Sequence, residues 1–232
     1  MKNLLLASSG SVYGSGYLEY LFPELEELYL GVEEILFIPY ACPGGITYDQ
    51  YTNSVQESLS FLGLKIRGIH EYSDVKNAVK TAKGIFVGGG NTFLLVAKLY
   101  DYDLWHVLKQ AIANGVPYLG TSAGTNITGI SMQTTNDMPI VSPESFKTLG
   151  VVPFNFNVHY IEPDIKSKHR GESRETRIKE FQSINHTRVL GLKEGSFLRI
   201  NGESITLKGQ QEAYWFENKQ KIRIDPNTNL KA

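Results

Sequence analysis

Gly120-Thr121-Ser122-Ala123-Gly124 stands directly after the apolar run Val116-Pro117-Tyr118-Leu119 and before a short stretch of helical character. The order strand, glycine-flanked serine, helix is that of a nucleophile elbow. Its bend is so sharp that the flanking positions take glycine, and the serine hydroxyl is lifted off the sheet edge with the next helix's N-terminus beneath it. Ser122 is therefore read as a nucleophile, against the plainer alternative of a glycine-rich turn that holds a serine.

The segments around the pentapeptide predict an α/β fold. Short apolar runs at residues 4–7, 35–38, 64–69, 85–87 and 116–119 suit strands buried on both faces of a mostly parallel sheet flanked by helices. Between them, residues 17–30 read as a crossover helix and residues 47–62 as a helix with Tyr51, Val55, Leu59 and Leu62 inward. Ser73 reads as the cap of a helix carrying Val75, Ala78, Val79 and Ala82. Residues 92–99 and 102–113 are two further helices, the second closing at Asn114-Gly115. In the second half, residues 151–159 alternate as a half-buried strand, 171–181 are helical and 188–192 form another strand. Two C-terminal hairpins follow, the first around Asn201-Gly202 with a type I′ turn, and they are expected to finish the sheet with antiparallel strands. No repeat or linker interrupts the chain, so residues 1–232 read as a single domain.

Composition narrows the partners. With 41% hydrophobic residues in 232, the chain can bury a full core, and a net charge of −1 leaves no electrostatic footprint for nucleic acid or an anionic membrane. Cys42 is the only cysteine, which excludes a disulfide framework and a thiolate metal cluster. Leu4-Leu5-Leu6 breaks at Ser8-Ser9-Gly10, too soon for a signal sequence or a membrane span. The expectation is a cytoplasmic protein with no metal or organic cofactor, acting on a small molecule, with a homodimer compatible with the sequence.

A serine nucleophile needs a base, a group to orient that base, and donors for the oxyanion. Among the five histidines, His70 and His106 read as packed or solvated, His169 lies in a charged stretch and His186 in a polar loop. His159 ends a strand, where reactive crevices of open α/β sheets lie, and is the expected base. Glu194, two residues beyond strand 188–192, and Asp137, in the polar segment Thr134-Thr135-Asn136-Asp137-Met138-Pro139, are rival orienters. The residues do not choose between them. Gly88-Gly89-Gly90, between a strand and a helix, brings backbone N–H groups to a ligand; Gly89 is the expected oxyanion donor opposite Ala123, with Gly88 and Gly90 along the substrate. The spacing fits neither nucleotide-binding glycine motif.

These pieces carry a resemblance. Val87-Gly88-Gly89-Gly90-Asn91-Thr92-Phe93, Ser122-Ala123-Gly124, the block from Thr134 to Val141, Gly171-Glu172-Ser173-Arg174-Glu175 and Gly191-Leu192-Lys193-Glu194-Gly195 together resemble peptidase E, the α-aspartyl dipeptidase family of serine peptidases. The resemblance implies a fold like that of class I glutamine amidotransferases with serine in place of their cysteine, and a triad of Ser122, His159 and Glu194. It also implies an essential role for Asp137 and hydrolysis of dipeptides and short peptides that begin with aspartate. Thr121 and Val158 depart from the tryptophan and proline common in bacterial relatives, and are expected to touch the pocket wall and the strand end. Arg174 is the expected reader of the aspartyl side chain, because a planar guanidinium can hold both carboxylate oxygens; the alternative is a surface arginine paired with Glu175. The rival functions are a cyanophycinase-like peptidase, an esterase, and a silent small-molecule-binding protein of the same fold.

Overall fold

A computed structural model describes residues 1–164, 166, 171–218 and 220–230. Its centre is a parallel sheet of β1 (Asn3–Ala7), β2 (Glu34–Ile38), β3 (Lys65–Gly68), β4 (Ile85–Val87) and β5 (Tyr118–Thr121), in the spatial order β1-β5-β4-β2-β3. Alternation along these strands divides the core in two. Leu5, Ile35, Phe37, Phe86 and Leu119 face α1 (Phe22–Leu28) and α2 (Tyr48–Ser58). Leu4, Leu6, Ile38, Val87 and Tyr118 face α3 (Val75–Thr81), α4 (Thr92–Asp101) and α5 (Trp105–Ala113).

Local chemistry sets the element ends. The first crossover is shorter than residues 17–30, because Pro23 belongs in a first helical turn; α1 starts beside it, after a 3₁₀ turn at Glu19–Leu21. A capping box of Thr47 and Gln50 opens α2. Asp74, not Ser73, caps α3 by accepting the Asn77 N–H.

Beyond β5 lie a short helix, α6 (Ala123–Asn126), then β6 (Asn155–Val158), α7 (Arg174–Ile184), β7 (Val189–Leu192), β8 (Ser196–Asn201), β9 (Ser204–Gly209), β10 (Ala213–Glu217), β11 (Gln220–Ile224) and β12 (Asn229–Leu230). The first hairpin, β8–β9, extends the main sheet antiparallel from β1, with β12 on its outer edge. Its turn has a positive φ only at Gly202, at 62°, where a I′ turn needs two, so it is of the II′ kind. The second hairpin corrects the expectation of one sheet. It joins β7 and β6 in a separate four-stranded sheet of order β11-β10-β7-β6, in which β6 and β7 are parallel across the crossover helix α7. Its inner strands β6, β7 and β10 are covered on both faces, while the edge strand β11 is largely exposed. Phe156, Leu190, Leu192 and Trp215 enter the same apolar cluster as Leu4, Leu6 and Leu198 of the main sheet, while Val189 and Phe216 pack under Ile178 of α7. No helix among the described residues is long and apolar enough to cross a membrane.

Candidate active site

Ser122 leaves β5 at φ 51° and ψ −109° and becomes the N-cap of α6, a conformation that few non-glycine residues adopt. The flanking glycines have steric reasons. A Cβ on Gly120 would lie 2.6 Å from the Gly124 carbonyl oxygen, and one on Gly124 would lie 2.1 Å from that of Val87. The bend is tied to β1: Ser122 N–H donates to the Ala7 carbonyl at 3.1 Å, and the Thr125 hydroxyl donates to the same oxygen at 2.7 Å.

His159 and Glu194 arrive from the second sheet. Because β6 and β7 run parallel with Val158 opposite Leu192, the residues after their C-terminal ends are neighbours. His159, at φ 53°, places Nδ1 2.7 Å from Glu194 Oε1 and Nε2 2.9 Å from Ser122 Oγ. One side chain fastens this pair to the main sheet. Ser8, at the end of β1, accepts the His159 N–H at 2.9 Å and donates to the Leu192 carbonyl at 2.7 Å. The histidine side chain is 34% exposed and the glutamate 59%, so the relay opens to solvent at its carboxylate end.

Asp137 is elsewhere. Its Oδ2 accepts the Thr92 N–H at 2.7 Å and the Thr135 hydroxyl at 2.9 Å, beside the N-terminus of α4, whose cap Asn91 in turn donates to the Met138 carbonyl. The carboxylate that touches the imidazole is thus Glu194. Asp137 Oδ1 makes no hydrogen bond within the described residues. Arg174, the first residue of α7, is half-buried and points Nη1 at the Val158 carbonyl, 3.4 Å away. Burial pushes its guanidinium down from its ordinary value, against the upward pull of the Glu194 and Asp137 carboxylates. It is not paired with Glu175, which is held by Lys179 and Lys221.

The three glycines separate by role. Gly88 N–H is used by the sheet, donating to Ile38. Gly89 lies against Ser122: a Cβ there would sit 3.2 Å from Ser122 Cβ, and its N–H makes no hydrogen bond among the described residues. Gly90, at φ 137°, brings the loop so close to Ala41 that a Cβ would lie 2.2 Å from the carbonyl oxygen. The Ala123 N–H heads α6 and has no intrahelical partner.

A family model described as Peptidase family S51 matches residues 4–208. The chain belongs to peptidase family S51. It is 42% identical over 219 residues to a probable alpha-aspartyl dipeptidase of Drosophila melanogaster, covering 93% of this chain and 90% of that one. It is 45% identical over 230 residues to a peptidase E of Shewanella amazonensis, covering 97% and 96%. In fold it resembles the crystal structure of a putative peptidase E protein from Listeria monocytogenes, with TM-score 0.69 at 24% identity, covering 91% of this chain and 100% of that one. A peptidase from an acI-B1 Actinobacterium has TM-score 0.70 at 15% identity, covering 100% and 97%.

Within this S51 peptidase several site neighbours had no signal in the sequence. Ser8 read only as the end of an apolar run. Asn136, which donates to the Val158 carbonyl at 2.7 Å, and Asn157, which bonds Asn136 in return, read as loop and strand residues. Tyr51 read as an apolar helix position, yet its hydroxyl donates to the Gly89 carbonyl at 3.3 Å. Thr121 is only 1% exposed and lies behind the elbow, not on a pocket wall. His70 pairs with Asp49 on α2 at 2.8 Å, and His106 and His186 are exposed. His169 lies outside the described residues.

Proposed function

We propose that the protein is a serine exopeptidase that hydrolyses dipeptides and short peptides after an N-terminal aspartate. The observation that carries this reading is the continuous relay from Ser122 Oγ through His159 to Glu194, with Arg174 beside it. Ser122 Oγ attacks the scissile carbonyl carbon while His159 Nε2 takes its proton. Glu194 holds Nδ1–H and stabilises the imidazolium. The developing oxyanion is met by the N–H groups of Gly89 and Ala123. His159 returns the proton to the leaving amine, and water, activated by the same imidazole, releases aspartate from the acyl-enzyme. Arg174 binds the aspartyl carboxylate as a two-pronged donor, and Asp137, through its unbonded Oδ1, receives the substrate's free α-ammonium. The setting is proposed to be cytoplasmic, in keeping with a sequence whose only cysteine, Cys42, leaves no disulfide framework.

Steady-state assays on Asp-Ala, Asn-Ala, Glu-Ala, a β-aspartyl-arginine dipeptide and a simple ester test the reading. Asp-Ala is expected to lead, with Asn-Ala down by as much as ~10⁴-fold because it leaves the guanidinium unmatched. Ser122→Ala and Arg174→Lys are expected to lose most of that turnover while staying folded. Turnover led by the β-aspartyl compound or the ester, or intact hydrolysis by the Ser122→Ala protein, would overturn it.

A further inference from the structure

A cavity of about 360 Å³ opens beside the His159–Glu194 pair, with Glu194 in its lining. Its place follows from strand order. Along the β9-β8-β1-β5-β4 run, Ser122 ends β5, and the glycine loop with Asp137 beyond it lies on the β4 side. The cavity lies on the other side, between the segment that follows β1, the start of β8 and the end of β9. A peptide with its carbonyl over Ser122 and its α-ammonium toward Asp137 therefore directs its departing half to the β1–β8 side, where this cavity lies.

The lining fits a particular kind of side chain. Tyr20 and Phe197 form one wall, with ring centroids 6.3 Å apart, and Val12 and Gln211 form another. Tyr13, wholly exposed, stands at the mouth with no apolar neighbour over it. Gly195, whose φ of 81° favours glycine, lines the cavity beside Val12 and Gln211. Among the described residues Glu194 is the only charged one in the lining. Its carboxylate repels a second carboxylate, and the Tyr20 and Phe197 rings cover apolar surface.

We propose that this cavity receives the side chain of the leaving residue, the one freed as an amine when Ser122 is acylated, and that it selects large apolar side chains, aromatic above all, and disfavours acidic ones. The assignment rests on the peptidase reading of Ser122 and adds a preference to it.

The experiment compares kcat/KM of the full chain on Asp-Phe, Asp-Leu, Asp-Ala and Asp-Glu. Covering a ring against these walls is expected to favour Asp-Phe over Asp-Ala by roughly ten- to hundredfold, with Asp-Leu between and Asp-Glu no better than Asp-Ala. Val12→Trp, which fills the cavity from a surface loop, should bring the Asp-Phe to Asp-Ala ratio near one. Val12→Lys should raise Asp-Glu relative to Asp-Ala. A flat series in the parent enzyme, or an Asp-Phe to Asp-Ala ratio unmoved by Val12→Trp, overturns the assignment. If no aspartyl peptide is cleaved, the aspartyl reading fails by itself. The same ratios, taken on whichever N-terminal residue the enzyme accepts, still decide the cavity.

Discussion

Glu194 offers its carboxylate to the imidazole from a side chain that is 59% exposed, and that exposure limits what its charge can do. A buried carboxylate in this place is worth about 10⁴ in kcat, whereas solvent screening weakens an exposed one. Glu194→Gln is therefore expected to lower kcat by ~10²-fold with KM nearly unchanged. Asp137→Asn, which keeps an acceptor for the Thr92 N–H but loses the charge, is expected to raise KM about tenfold for unblocked peptides and leave kcat close to the parent's. Steady-state kinetics of the two variants check the division, and the reverse pattern would exchange the two roles. Ser8→Ala removes the acceptor of the His159 N–H and the donor to Leu192 together. The expected cost is ~1–3 kcal/mol in denaturant unfolding, with a fall in kcat that exceeds any change in KM. Residue-scale chemistry was legible where it was local. Ser122 announced itself through four neighbours, whereas the partners of Ser8 lie 151 and 184 positions away, and no spacing rule reaches them.

The connection from β7 to β8 carries Glu194, and the residue before it anchors that connection. Lys193 donates to Glu212 at 2.6 Å, and the Tyr214 hydroxyl donates to the same carboxylate at 3.0 Å. The Lys193 ammonium, more than any other group, pulls the Glu212 carboxyl down from an ordinary 4.5 to about 2. A carboxylate depressed in this way stabilises the fold at pH above about 4.5, and the contribution is lost as pH falls through about 2. The stability difference between the parent and Glu212→Gln should accordingly be constant at neutral pH and shrink to nothing in strong acid, as followed by urea unfolding across pH. A difference that persists at pH 2 would assign the effect to packing. Elements were legible in kind more than in extent. The periodic helices α2, α3 and α5 stood out, but the cap of α3 moved by one residue, since Ser73 and Asp74 are both good caps and only geometry selects Asp74. The turn at Gly202 changed type for a similar reason: Asn-Gly is compatible with more than one register, and here Asn201 pairs with Ser204 inside the ladder.

At the scale of the whole molecule, the sequence carried the parallel half and not the second sheet. The strand expected over 151–159 is confined to Asn155–Val158 and that over 188–192 to Val189–Leu192, and nothing in a strand's own alternation names the sheet it will join. Their assignment depends on the cover that Phe156, Leu190 and Trp215 find against β1 and β8. Because that cluster runs without a break between the sheets, we propose that residues 1–232 unfold in one cooperative step, with fluorescence and circular dichroism giving coincident thermal transitions. The position of Ser8 has a further consequence. Ser122 and His159 belong to different layers of the protein, so the bond between them works as a gauge of interlayer spacing. Phe154 and Trp215, whose rings meet edge to face at 4.7 Å, belong to the apolar cluster shared by the two layers. Phe154→Leu should let the layers settle by a fraction of an ångström. Turnover should then drop severalfold although the substitution lies in the core and touches no reacting group, a result that kinetics and a crystal structure of the variant would decide together. Interior volume, ordinarily a quantity of stability, becomes in this architecture a determinant of rate.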